Sequence, residues 1–357
     1  MALATKFVPR TVFEVGNSIP KTYFLGHHKA GLDQMKKMIK DVDLILECRD
    51  FRVPAVSVNP AFEDAIGSKR RYIIYTKRDL GGNLKLENQK REKLIERWNK
   101  DCPVYFMSKM NRITCMPLVK KIKMEPRLPT GSRIMVVGMP NVGKSTLINS
   151  LRGAALKVGA KAAKAAKTGA QPGITRTVGG PLKIVDDPRK GNVYVYDTPG
   201  VFVPYMPDAE SFIKLALCNI VRRDLVPLEI LADYLLFHIN LHRPVKYQPY
   251  VKNPTNDINE FLDEFSISTG CRAKGGGPDR DRGAIKFINW WEQGKFDGFM
   301  FDDPYKVTPE FNRQMIEKYG GSLNEAWKKK RLAAHNERME YIKAEKARYE
   351  ALAQSSL

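Results

Sequence analysis

From residue 23 to about 200, short apolar runs alternate with segments whose apolar residues are spaced by three and four. The runs DLILECRD (43–50), RYIIY (71–75), PVYFMS (103–108), SRIMVVG (132–138) and NVYVYD (192–197) read as buried strands. Between them, AGLDQMKKMIKDV (30–42) and LENQKREKLIERWNK (86–100) carry the helical period. Such alternation predicts an α/β domain on a mostly parallel sheet. After residue 207 the strand pattern stops. DAESFIKLALCNIVRRDL (208–225), PLEILADYLLFHI (227–239), DINEFLDEFSIST (257–269), RGAIKFINWWEQGKF (282–296) and the tail from Glu325 all read as helices. The expected organisation is a leader over 1–22, an α/β domain over 23–207, an all-α domain over 208–324 and a basic helical tail over 325–357.

Charge changes the picture most. Against 39 Asp and Glu stand 60 Lys and Arg, a net charge of +21, which favours a polyanionic partner, nucleic acid or an anionic membrane surface. The longest apolar stretch, ILADYLLFHINL (230–241), is too short for a bilayer span and contains Asp233. Cys48, Cys102, Cys115, Cys218 and Cys271 are scattered, which argues against a disulfide framework or a zinc site. Residues 1–13 contain Lys6 and Arg10 with no acid before Glu14, a composition compatible with an organelle-targeting presequence. Between Arg152 and Lys183 lie seven basic residues and no acid. Lys157, Lys161, Lys164 and Lys167 would share one helix face there, either as a solvated arm or as an arm that orders on phosphate backbone.

The sharpest chemical signal is GMPNVGKST (138–146), in which Gly138, Gly143, Lys144 and Ser145 match G-x-x-x-x-G-K-[ST] between a strand and a helix. The N–H groups of this loop, through Asn141, Val142, Gly143, Lys144, Ser145 and Thr146, would cradle phosphates. Lys144 would reach the β- and γ-oxygens and Ser145 would offer its hydroxyl to Mg²⁺. YVYDTPG (194–200) puts Asp197 at a strand end, where an acid can hold Mg²⁺, and Gly200 where its N–H can meet a γ-phosphate. PGITRT (172–177) supplies Thr175, with Thr177 as alternative, for γ-phosphate and Mg²⁺.

YTKRDL (75–80) resembles the loop with which small GTPases read guanine. Asp79 could accept from guanine N1–H and its 2-amino group, and the Lys77 stem would pack over the ring. Thr76 stands where such loops usually carry Asn. FMSKM (106–110) would bring a backbone amide near Ser108 and Lys109 to the base oxygen. All these elements are present but in the order base, base, phosphate, switch, Mg²⁺. That order is a circular permutation, which chain ends lying close together at a domain surface make feasible.

With these motifs, FLGHHKA (24–30), CRDFRVPAVSVNP (48–60) and TGAQPGITR (168–176), the chain resembles the circularly permuted GTPases of ribosome assembly, in the branch of bacterial RbgA (YlqF) and its mitochondrial counterparts. The resemblance implies a circularly permuted P-loop GTPase domain followed by a helical domain that contacts large-subunit ribosomal RNA. It implies GTP and GDP as ligands, Mg²⁺, and K⁺ at Asn141. GTP hydrolysis would be slow alone, stimulated by the ribosomal particle, and would accompany release of the factor. Val201 follows Gly200 and cannot orient water as a Gln would, so His27 matches the family histidine proposed to act there; a histidine beside an apolar run is equally a structural one. The residues before KTYFLGHH point to the mitochondrial matrix and, with the charge, to peripheral contact with the matrix side of the inner membrane. Partners would be large-subunit ribosomal RNA and ribosomal proteins of the assembling mitoribosome. The alternatives are a P-loop kinase or ATPase of metabolism, a GTPase of bacterial or nuclear ribosome assembly, and an RNA-binding scaffold with weak nucleotide turnover. Of Trp290 and Trp291, at least one is expected in the core rather than stacked on RNA.

Overall fold

The computed structural model describes residues 7–15, 26–59, 62, 65–82, 85–109, 111–126, 130–156, 180–187, 190–201, 208–242 and 244–309, apart from the side chains of 26–30, 85 and 112. Its framework is a six-stranded sheet: β1 (Leu44–Asp50), β2 (Arg71–Thr76), β3 (Val104–Phe106), β4 (Ser132–Gly138), β5 (Leu182–Val185) and β6 (Val193–Asp197), in the spatial order β3-β2-β1-β4-β6-β5. All neighbours run parallel except β5, which pairs antiparallel with β6. The sequence pattern did not predict β5. It is four residues long, with Lys183 exposed and paired to Asp186 at 3.0 Å, so its apolar signal is brief. Lys183 therefore lies in the sheet and Arg152 in the helix after the phosphate-binding loop, while residues 157–179 of the basic segment lie outside the described residues.

The central strands read as continuous apolar runs because both sheet faces are covered. β1 is buried throughout. Leu44, Leu46 and Cys48 enter one core cluster with Ile134 and Val136, whereas Ile45 enters another with Met135 and Val137, as the two-residue period of a strand requires. The first face is packed by α3 (Met116–Met124) and α4 (Lys144–Ala155). The other is packed by α1 (Gly26–Met38), through Met35, and by α2 (Lys85–Trp98), through Ile95.

Among the described residues four further α-helices follow: α5 (Ala209–Leu217), α6 (Leu228–His242), α7 (Ile258–Ser268) and α8 (Arg280–Glu292). The segment 208–225, expected to be one helix, ends early for a local reason. Asn219 is left-handed (φ 58°), Ile220 N–H donates to Leu215 O at 2.9 Å and Asn219 N–H to Ala216 O at 3.0 Å. This is the Schellman ending, with Asn in the position usually taken by Gly. Phe212, Leu235, Phe261 and Trp291 of these helices share one buried cluster with Leu46 and Val136 of the sheet. Trp291 is core, and Trp290 is half-buried with the Lys295 ammonium 3.9 Å from its ring centroid.

Two strips of chain lock the helices to the rest. Residues 51–57 after β1 are all buried, and their backbone groups have definite partners. Asp302 Oδ2 accepts from Ala55 and Val56 N–H at 3.1 and 3.0 Å, and Phe301 N–H donates to Arg52 O at 2.8 Å. Residues 7–15, within the expected leader, lie on α6. Arg10 forms a two-pronged pair with Asp233, Asn256 holds Val8 O (2.9 Å) and Arg10 N–H (3.3 Å), and Phe13 meets the Tyr234 ring edge-on at 5.0 Å. Among the described residues no helix is long and apolar enough to cross a membrane, and none of the five cysteines is in a disulfide.

His238 of α6 sits among Tyr234, Phe299 and Phe301, with both ring nitrogens buried and without hydrogen-bond partners in the described structure. Burial first, then Lys214 and His242, pushes its pKa down to about 3. The unfolded imidazole takes up a proton below about 6.5 while the folded one does not, so this contribution to stability is full above that pH and is lost as pH falls toward 3. Thermal melts should show a smaller drop between pH 7 and 5 for His238→Phe than for the wild type. The difference should approach about 1.4 kcal/mol per pH unit below 6.5; equal slopes would contradict it.

Candidate functional site

The loops at the carboxyl ends of β1, β2, β4 and β6 meet at one edge of the sheet, where ligands of open α/β folds bind. β4 leads into the loop Gly138–Gly143, whose shape depends on backbone that branched residues cannot adopt. Gly143 has φ 99° and precedes α4 directly. A Cβ on Gly138 would lie 2.5 Å from Cys48 O, so β1 and the loop approach as closely as glycine allows. The N-terminus of α4, with its free N–H ends, thus faces the loop.

Lys144 is 7% exposed, and burial lowers its pKa against the pull of Asp197 and Cys48. Its ammonium donates to Met139 O at 2.8 Å and Gly138 O at 3.3 Å, which curls it back over the loop. Ser145 Oγ donates to Asp197 Oδ2 at 2.7 Å, bringing together the hydroxyl and carboxylate expected at Mg²⁺. Asp197 Oδ1 is buried and has no partner among the described residues, and burial raises the pKa of the carboxyl. An orphaned carboxylate oxygen beside a hydroxyl fits a hard divalent cation. Gly200 closes on the loop: a Cβ there would lie 2.5 Å from Pro140 Cα. Val201 is 1% exposed and packs in the cluster of Met35 and Ile45.

On the base side, Thr76 is 7% exposed and its hydroxyl bonds Val142 O of the phosphate-binding loop, with Arg49 O at 3.2 Å as second neighbour. Replacing the usual Asn by Thr therefore keeps a tie between base loop and phosphate loop. Lys77 is left-handed (φ 57°) and its ammonium donates to Asp50 Oδ2 at 2.8 Å. The turn Arg78–Leu80 follows, and Asp79 Oδ1 is buried with no partner among the described residues, as a carboxylate awaiting guanine donors would be. The Ser108 amide differs from expectation, because it donates to Thr114 Oγ1 at 3.0 Å. Asn141 (φ 52°) donates from Nδ2 to Asn219 O at 2.9 Å, a link from the phosphate loop to the end of α5.

Thr175 and Thr177 lie outside the described residues, as does the His27 side chain. The backbone of His27 is in the first turn of α1, one turn before Gly31, whose own position is 3.4 to 3.7 Å from Val201 and Pro199 as measured from an added Cβ. The motifs did not single out Asp50, Arg52 and Asn219. Their signal was a D-x-R step directly after a strand end and an Asn where a helix had to stop.

Site and sheet order define the class: a P-loop GTPase domain with permuted chain order, followed by helices. The sequence pattern of the family described as "50S ribosome-binding GTPase" matches residues 133–267. "Mitochondrial ribosome-associated GTPase 1" of Xenopus tropicalis is 32% identical over 315 residues, which cover 82% of this chain and 98% of the relative. "Mitochondrial GTPase 1" of Saccharomyces cerevisiae is 32% identical over 324 residues, 84% of each chain. Among solved structures, the one described as "Crystal structure of GNP-bound YlqF from T. maritima" is similar at 23% identity and TM-score 0.49, covering 77% of this chain and 98% of that one. The chain belongs to the family of the mitochondrial ribosome-associated GTPase 1 proteins.

Thr76→Val keeps the shape and deletes the hydroxyl that bonds Val142 O. It should cost about 1–2 kcal/mol of stability and speed amide exchange in residues 139–143, whereas Thr76→Asn should retain nucleotide affinity. Unchanged melting and exchange in Thr76→Val would remove this tie from the account.

Proposed function

We propose that this chain binds and hydrolyses GTP as an assembly factor for the large subunit of the mitochondrial ribosome, binds large-subunit ribosomal RNA, and leaves when GTP is hydrolysed. The observation that carries the reading is one edge of one sheet holding the curled Lys144, the Ser145–Asp197 pair and the orphaned Asp79 carboxylate together. Family membership supplies the ribosome and the mitochondrion, and the net charge of +21 suits RNA or an anionic membrane surface on the matrix side.

In this reading Asp79 accepts from the guanine edge, Lys77 covers the ring, and Lys109 offers its amide to the base oxygen. A base without the donor edge would leave the Asp79 charge unpaired, which sets selectivity. The loop N–H groups of 141–146 hold the β-phosphate, and Lys144 exchanges its two carbonyl partners for phosphate oxygens. Ser145, Asp197 and Thr175 would hold Mg²⁺, which would supply positive charge against the phosphate oxygens. Gly200 and Thr175 engage the γ-phosphate. Asn141 would hold K⁺ at the phosphate loop through its carbonyl oxygen Oδ1, while Nδ2 keeps its bond to Asn219 O. Water attacks the γ-phosphorus and GDP leaves. Since buried Val201 cannot orient that water, turnover is slow until His27 or a group of the ribosomal particle does so. The place of His27, one helical turn from Gly31 and so near the Asp197–Val201 loop, supports its part.

The test is GTP turnover with and without large-subunit particles from mitochondria of the same organism. Turnover should be slow for the protein alone and rise at least about tenfold with particles, and His27→Ala should lose most of that rise, of the size seen for positioned catalytic groups. Particles that leave the rate unchanged would refute the assembly role, and an undiminished rise in His27→Ala would remove His27 from the mechanism.

A further inference from the structure

Asp50 ends β1 and is completely buried, as is Arg52 two residues later, at 0% and 2% exposed. Neither belongs to the phosphate or base motifs. Arg52 gives Asp50 Oδ1 two bonds of 3.0 Å, from its backbone N–H and from Nε, and gives Oδ2 one of 2.8 Å from Nη2. That pairing is complete in itself. Yet Oδ2 also accepts, at 2.8 Å, from Lys77 Nζ, which reaches in from the base loop. Behind the pair, Arg52 Nη2 donates to Cys218 O at 3.0 Å, and its guanidinium lies 5.2 Å from the centroid of the Trp291 ring. Burial alone would raise the Asp50 pKa; Arg52 and Lys77 outweigh it and hold the carboxyl well below the usual range, so it stays charged.

A buried carboxylate is costly unless its partners are fixed. Here they are fixed from both sides, by a helix-end carbonyl and an indole behind and by the base loop in front. A lysine left in water spreads over many rotamers, and a bound base would have to order it. Asp50 removes that cost before the nucleotide arrives. We propose that Asp50 is a positioning residue for guanine-nucleotide binding: it fixes the Lys77 ammonium so that the stem stands ready for the face of the base, while Arg52, seated on Cys218 and Trp291, fixes Asp50. This rests on reading residues 76–79 as the base site.

The experiment measures affinity of the full chain for GDP and IDP, with a melting curve for each protein, in wild type, Lys77→Met, Asp50→Asn and the double variant. IDP lacks the 2-amino group, so the GDP-to-IDP affinity ratio reports on Asp79 alone. Asp50→Asn should weaken GDP about tenfold, the worth of one charge-assisted hydrogen bond. It should weaken IDP by the same factor, because Lys77 meets the ring face and not its edge. Added to Lys77→Met, it should cost nothing more.

Full GDP affinity in Asp50→Asn beside a weakened Lys77→Met would overturn the proposal. So would additive losses in the double variant, or a collapsed GDP-to-IDP ratio, since Asp50 would then merely shape the loop. Should Asp50→Asn fail to fold because Arg52 is left buried and unpaired, Asp50→Leu with Arg52→Met removes both charges, and the same comparison is made with that pair. A wild-type chain that binds no GDP, or a Lys77→Met chain that binds it undiminished, overturns the base-site reading and this proposal with it. A loss confined to Asp50→Asn and cancelled in the Lys77→Met background supports both.

Discussion

Two adjacent carbonyls hold this molecule's halves in register. α5 ends in a Schellman turn that satisfies its earlier carbonyls and leaves buried Cys218 and half-buried Asn219 with carbonyls facing the sheet side. Carbonyls turned away from water need donors. Cys218 O takes Arg52, which stands behind the base loop, and Asn219 O takes Asn141 of the phosphate loop. One helix end is thereby bonded to both sides of the nucleotide site. The continuous core from Leu46 to Trp291 and the Asp302 carboxylate over Ala55 and Val56 enforce the same closeness.

The permuted order suits this arrangement. With the phosphate-loop strand β4 fourth in sequence, its neighbours in space are β1, the first strand in the chain, and β6, the last. Cutting the chain after the Asp197 loop sends it next into α5, so the strand end at Asp197 and the helix end bonded to Arg52 and Asn141 are separated by one connecting segment and one helix. The phosphate-binding loop is thus tied to the helices by the carbonyl pair as well as by the chain itself.

Much of this was legible in the sequence, for definable reasons. β1, β2 and β4 are long enough and buried on both faces, and β6 is buried on one face and half-buried on the other, so each reads as an apolar run; the motifs that singled out Lys144, Ser145 and Asp197 name residues that the fold brings together. β5 was not legible, because four residues on a sheet edge with an exposed lysine carry little pattern. The break in 208–225 was missed because the apolar period continues through Ile220 and Val221, and only the left-handed Asn219 stops the helix. Thr76 looked like a defect in the base loop, and its partner Val142 O is 66 residues away in sequence. Asp50 and Arg52 were invisible as functional residues for a similar reason: their partners Lys77, Cys218 and Trp291 come together only in the fold. Residues 7–15 have the composition of a leader, yet Arg10 and Phe13 are matched to Asp233 and Tyr234, which composition does not reveal.

The central claim, that the nucleotide site is seated on the end of α5, is tested most directly by hydrogen exchange of the full chain with and without GDP, and with a non-hydrolysable GTP analogue and Mg²⁺. Nucleotide should change exchange not only in the loops 138–146 and 76–82 but also in amides 215–222, and differently for the two ligands. Ligand-dependent exchange confined to the loops, with 215–222 unaltered in every state, would contradict the account.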